Sequence, residues 1–136
     1  MMKAAASYEA LIFDLDGTVF RGKSAIPGAV QAVNQLRTRF PCRFLSNNGE
    51  RTSSSLAQRL RGLGFQVEAY EIISSADLVL GYLTEQGGTH HILALTSDAL
   101  ARALEAQGHR LVNDDTADII VVGVDRSLTR ERMVQG

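Results

Sequence analysis

Two aspartates one residue apart, Asp14 and Asp16, stand at the end of the apolar run Ala10-Leu11-Ile12-Phe13, and Gly17-Thr18 follow them. The run reads as a β-strand. Side chains alternate along a strand, so the two carboxylates start out facing the same way. Gly17 permits a sharp turn and Thr18 adds a hydroxyl. Paired acids at the carboxyl end of a buried strand call for a cationic partner, and in open α/β sheets that end is where ligands bind. Oxygen ligands of this kind suit Mg²⁺ with a phosphate, and an Asp carboxylate can itself be a nucleophile that forms an aspartyl-phosphate. The competing readings are a polar turn after a strand and a calcium loop. A calcium loop wants further acids at alternate positions, which Leu15, Thr18 and Phe20 do not supply.

A second group lies at the end of Cys42–Ser46, the next strand-like run: Ser46-Asn47-Asn48-Gly49. If the two strands are parallel neighbours, Ser46 and Asp14 open on the same edge of the sheet. There the Ser46 hydroxyl can hydrogen-bond a phosphoryl oxygen, and the backbone N–H groups of Asn47 and Asn48 can do the same at an anion-binding turn. Taken alone, Ser-Asn-Asn-Gly is first of all a turn signal.

The segments that must hold these residues alternate between strand and helix patterns, which predicts an α/β fold with a mainly parallel sheet. Pro27 is expected to open a helix from its first turn, with Val30, Val33 and Leu36 as the apolar stripe, and Pro41 to end it. Thr52 or Ser53 caps the next helix, with Leu56, Leu60 and Leu63 inward and Gly64 as its stop. Ser74-Ser75 open a third helix that Gly87-Gly88 close. His91–Leu95 reads as a strand, Ser97 caps a helix with Leu100 and Leu104 inward, and Gly108 ends it. Arg110–Val112 is a short extended piece. Residues 118–124 are expected to form the strongest strand, too apolar to be half exposed, and Thr129 caps a last helix.

With 136 residues and 45% apolar side chains the chain can build a core, while 14 basic against 15 acidic residues give a net charge of −1. Neither a nucleic-acid-binding stripe nor an acidic disordered tail is present. No apolar run is long enough to span a membrane, Met1–Ala6 is too short for a signal peptide, and the single Cys42 suits a reducing, cytoplasmic setting. His90, His91 and His109 lack metal-ligand spacing with Cys42. Arg37, Arg39, Arg43, Arg59 and Arg61 read as solvated helix or strand-edge charges, and Asp125 reads equally as a turn residue or a pocket residue.

Phe13-Asp14-Leu15-Asp16-Gly17-Thr18 resembles the first motif of the haloacid dehalogenase (HAD) superfamily. The continuations Val19-Phe20-Arg21-Gly22 and Ile26-Pro27-Gly28-Ala29, then Ser46-Asn47-Asn48, Arg51-Thr52, Ile72-Ile73-Ser74-Ser75 and 121–126, are similar to its NagD-like, nitrophenylphosphatase-like branch. The resemblance implies a HAD-type Rossmann-like parallel-sheet core with the start of an inserted α/β cap. Residues 1–80 would be the N-terminal part of the core and 81–136 a partial cap, the boundary falling between 74 and 91. It implies Mg²⁺-dependent hydrolysis of small phosphorylated metabolites, with no nucleic acid or membrane as partner. Asp14 would be the nucleophile and Asp16 the general acid–base. Mg²⁺ would sit on Asp14 and the Asp16 carbonyl, and Ser46 and the Asn47 backbone would hold the phosphoryl group. The family's later motifs, a Lys and further acids, have no counterpart: Lys3 and Lys23 are the only lysines. A phosphotransferase, or a catalytically incomplete fragment acting as an interaction module, are the rival readings. Residues 1–136 alone are then not expected to be a stable, active monomer: either the native protein is longer, or another chain covers the open sheet edge, a homo-oligomer being one such arrangement.

Overall fold

The computed structural model describes residues 8–135, and Met1–Ala6, including Lys3, lie outside them. The described residues form two compact units, one of residues 8–46 and 53–73, the other of residues 47–52 and 74–135.

The first unit is built on a parallel sheet in the order β1 (Leu11–Asp14), β4 (Cys42–Ser46), β5 (Ile72–Ser74). A small antiparallel hairpin, β2 (Phe20–Arg21) with β3 (Ser24–Ala25), follows β1. Leu11 to Asp14 pair in register with Cys42 to Leu45, so β4 runs one residue past the end of β1. Helix α1 is Ala29–Arg37 and begins two residues after Pro27, not on it. Ala29 N–H donates to the Ile26 carbonyl at 2.9 Å and Gly28 has φ 82°. Pro27 and Gly28 are therefore the central residues of a type II turn, where Pro presets the first φ and only Gly takes the second without strain. Helix α2, Ser53–Gly62, closes as the sequence predicts. Gly64 sits at φ 97°, Phe65 N–H reaches the Leu60 carbonyl at 3.0 Å and Gly64 N–H the Arg61 carbonyl at 3.0 Å. That is the paired bonding of a glycine C-terminal cap, and the usual hydrophobic pair accompanies it, since Phe65 and Leu60 are both buried.

The core of this unit gathers Leu15, Val19, Phe20, Val33, Phe44, Leu56, Leu60 and Phe65 with Val67 and Ile72. The strands are covered on one face only. Cys42, Phe44 and Ser46 point inward, whereas Ile12 is 68% exposed and Leu45 and Ile73 are exposed too. The apolar run of β4 is thus half exposed, because no described helix packs on its second face.

The second unit carries a three-stranded parallel sheet, β7 (Arg110–Leu111), β6 (His91–Leu95), β8 (Ile119–Val122), with β6 central. Helix α3 is Ser75–Gln86, capped by Ser74, whose Oγ accepts from Asp77 N–H at 3.1 Å. Helix α4 is Asp98–Ala106, capped by Ser97 through Leu100 N–H. Helix α5 is Arg130–Gln135. Leu83, Ile92, Leu100, Leu104 and Val121 form the core here. The expectation for 118–124 is corrected in length and in burial. The strand covers Ile119–Val122, and Val122 is 73% exposed with Ile120 also exposed. As an edge strand it has a described neighbour on one side only, so its alternate residues face outward. Among the described residues no helix is long and apolar enough to cross a membrane.

Candidate functional site

The segment after β1 winds around one carbonyl. The N–H groups of Thr18, Val19 and Phe20 all approach the Leu15 oxygen, at 3.3, 2.9 and 3.2 Å. Gly17, at φ 86°, sends its N–H to the Phe20 carbonyl at 2.7 Å, and Asp16 bridges Phe20. Leu15, Val19 and Phe20 are fully or nearly fully buried and anchor the loop in the core. The intervening Asp14, Asp16 and Thr18 are exposed. The alternation predicted for the two acids therefore holds past the end of the strand itself, with Leu15 as the inward residue between them.

Thr18 Oγ1 donates to Asp14 Oδ2 at 3.2 Å. This bond ties one carboxylate oxygen to the turn. On the neighbouring strand Ser46 lies one residue past Leu45, the register partner of Asp14, and is 5% exposed. Asn47 follows it, exposed. Asn48 Oδ1 accepts from Glu50 N–H at 2.9 Å, a side-chain turn that begins the excursion to α2. The sheet thus brings Asp14 and Ser46 to one edge, and the loop keeps Asp16 and Thr18 beside Asp14 in the chain.

Arg59 is a contributor the sequence does not flag. From α2 its guanidinium lies over the Phe20 ring, 4.4 Å from the centroid, and Nη2 donates to the Gly22 carbonyl. It pins the hairpin that follows the acidic loop, a contact between residues 37 apart that no local pattern reveals.

The donor set suits a hard cation: carboxylate and carbonyl oxygens, with no thiolate or imidazole among Asp14, Asp16, Thr18 and Ser46. One or two carboxylates beside a substrate phosphate are what Mg²⁺ takes. Among the described residues no group of three or more His, Cys, Asp and Glu side chains could hold a metal by itself. The backbone N–H of His90 donates to Nδ1 of the buried His109, and the two rings stack at 5.5 Å.

Residues 11–110 match the model of the haloacid dehalogenase-like hydrolase family. An acid sugar phosphatase of Staphylococcus saprophyticus is 31% identical over 128 residues, which are 93% of this chain and 49% of that protein. The glycerol phosphate phosphatase of Mycobacterium tuberculosis, solved with magnesium, superposes with a TM-score of 0.76 at 30% identity, over 96% of this chain and 40% of that one. The 4-nitrophenylphosphatase of Thermotoga maritima gives 0.79 at 26% identity, over 93% and 49%. The chain spans about half the length of the curated relatives it matches. With a family model over most of its length and its acidic loop at the carboxyl edge of a parallel sheet, the chain belongs to the haloacid dehalogenase-like hydrolase family, in its NagD-like, nitrophenylphosphatase-like branch.

Proposed function

We propose that this chain carries the nucleophile of a Mg²⁺-dependent phosphate monoester hydrolase acting on small phosphorylated metabolites. The observation that carries the reading is the loop itself. Two exposed carboxylates flank a fully buried Leu15, and the first is held by the Thr18 hydroxyl. In the first half-reaction an Asp14 oxygen attacks phosphorus, the bond to the leaving oxygen breaks, and Asp16 gives that oxygen a proton. In the second, Asp16 takes a proton from water, water oxygen attacks phosphorus, and Asp14 leaves as the free carboxylate. The Ser46 hydroxyl and the Asn47 N–H would hold phosphoryl oxygens. Asp14 and the Asp16 carbonyl would hold Mg²⁺, which when bound offsets the charge of the phosphoryl oxygens.

The names of the relatives support small phosphate esters as substrates, and the second unit, which resumes at Ser74, supports reading it as the start of a cap. The buried, unpaired Cys42 agrees with a reducing, cytoplasmic setting. With Lys3 and Lys23 as its only lysines, the chain by itself is read as a weak catalyst that needs further residues for full activity. Asp14→Asn in the native protein is the test. The amide keeps the shape but is a very poor nucleophile, so kcat for p-nitrophenyl phosphate should fall by roughly three orders of magnitude or more. Near-normal turnover in a folded variant ends the assignment.

A further inference from the structure

Arg37, Arg39 and Arg43 look like separate solvated charges in the sequence, but the fold gathers them. Arg37 ends α1, Arg39 follows in the turn and Arg43 lies on the exposed face of β4. Together with Phe40, Tyr70 and Glu71 they border a cleft of about 420 Å³. The cleft opens where β4 begins, the opposite end of the sheet from Asp14 and Ser46.

The charge in this cleft is not cancelled. Glu71 is 7% exposed and both its oxygens are engaged: Oε1 stands 2.9 Å from Arg37 Nη1, and Oε2 accepts from Glu68 N–H at 2.8 Å. Arg43 spends Nη1 on the Cys42 carbonyl at 3.0 Å, and Arg39 lies over the Phe40 ring. Among the described residues neither Arg39 nor Arg43 has a carboxylate within ion-pair distance. Three guanidinium groups against one carboxylate leave two positive charges beside a polar hollow. Tyr70, 76% exposed, also lines it.

We propose that this cleft binds a nucleoside phosphate, with the phosphate across Arg39 and Arg43 and the base against Tyr70. Planar guanidinium groups fit phosphate oxygens in pairs, and every base has a π face that stacks on an aromatic ring. A bare anion would satisfy the arginines and leave the exposed Tyr70 without a role. An extended nucleic acid would need a basic stripe, whereas the chain has a net charge of −1 and these arginines are confined to one cleft. The site is independent of the catalytic reading.

The test is calorimetric titration of the native protein with AMP at low salt in the presence of a chelator, so that metal-dependent binding does not contribute. Saturable binding is expected. It should weaken about tenfold or more in an Arg39→Gln, Arg43→Gln double variant, weaken in Tyr70→Ala, decline with added salt, and stay unchanged in Arg61→Gln. All three cleft side chains are exposed, so a far-UV melt should match the wild type in each variant. Absence of saturable binding, an unchanged affinity in the double variant, or inorganic phosphate binding as tightly as AMP would each overturn the proposal.

Discussion

At the residue scale the chemistry rests on how few side chains are needed to orient a carboxylate. Thr18 reaches Asp14 Oδ2 across the turn, and the buried neighbours Leu15, Val19 and Phe20 hold that turn in place. A different acid, Glu71, does structural work in the same unit. Burial alone would raise its pKa, but the Arg37 guanidinium, the Glu68 N–H and the charge of Arg43 outweigh that, and its pKa lies below the ordinary carboxylate value. A group whose folded pKa is depressed contributes stability that is present above its unfolded pKa and is lost as pH falls through the folded one. Glu71→Gln should therefore destabilise the fold by about 1–3 kcal/mol at pH 7, the cost of leaving a mostly buried charged partner unmatched. The gap to the wild type should narrow below about pH 4.3, where the unfolded carboxyl begins to hold its proton. Urea melts at pH 7 and at acid pH measure it, and a gap that is constant with pH would remove the ion pair as the cause.

At the element scale local sequence and backbone geometry mostly agree. Ser74 and Ser97 cap their helices through side-chain oxygens, and Gly64 closes α2, as their positions in the sequence lead one to expect. The start of α1 differs because two local rules compete at Pro27. Pro suits the first helical turn, yet Gly28 after it takes a φ that other residues resist, so the pair makes a turn and the helix waits for Ala29. Gly64 invites a direct test. Its φ is 97°, and an added Cβ would stand 3.4 Å from Val30 Cγ1. Gly64→Ala should cost about 1–3 kcal/mol of stability through backbone strain, read as a lower denaturation midpoint with an unchanged slope. An unaffected midpoint would show that the cap does not depend on glycine.

At the scale of the whole molecule the notable feature is apolar surface on both units. Ile12, Leu45 and Ile73 lie on the open face of the first sheet. In the second unit Leu78 and Tyr82 of α3, with Ile120 and Val122 of β8, border a hollow of about 370 Å³. A parallel sheet is ordinarily covered on both faces, and contiguous exposed apolar surface together with a free strand edge favours association. Residues 1–136 expressed alone should therefore sediment as species larger than one chain at tens of micromolar and bind a hydrophobic dye. Val122→Lys with Leu78→Lys should shift the distribution toward the single chain. A monodisperse single chain that binds no dye would refute the expectation.

The motif Phe13-Asp14-Leu15-Asp16-Gly17-Thr18 sufficed by itself to indicate the acidic loop, its strand and the family, because strand alternation and glycine's conformational freedom act over a few residues. Helix caps and the alternation of elements were legible for the same reason. Only the tertiary structure decided what depends on residues far apart. It set the Asp14–Leu45 register that brings Ser46 to the same edge, the Arg59 bond to Gly22 and the meeting of Arg37, Arg39, Arg43 and Tyr70 around one cleft. It also decided that Ile12 and Val122 face outward. Apolar patterning tells which residues gain from burial, but whether a second layer is there to bury them is a property of the assembled fold.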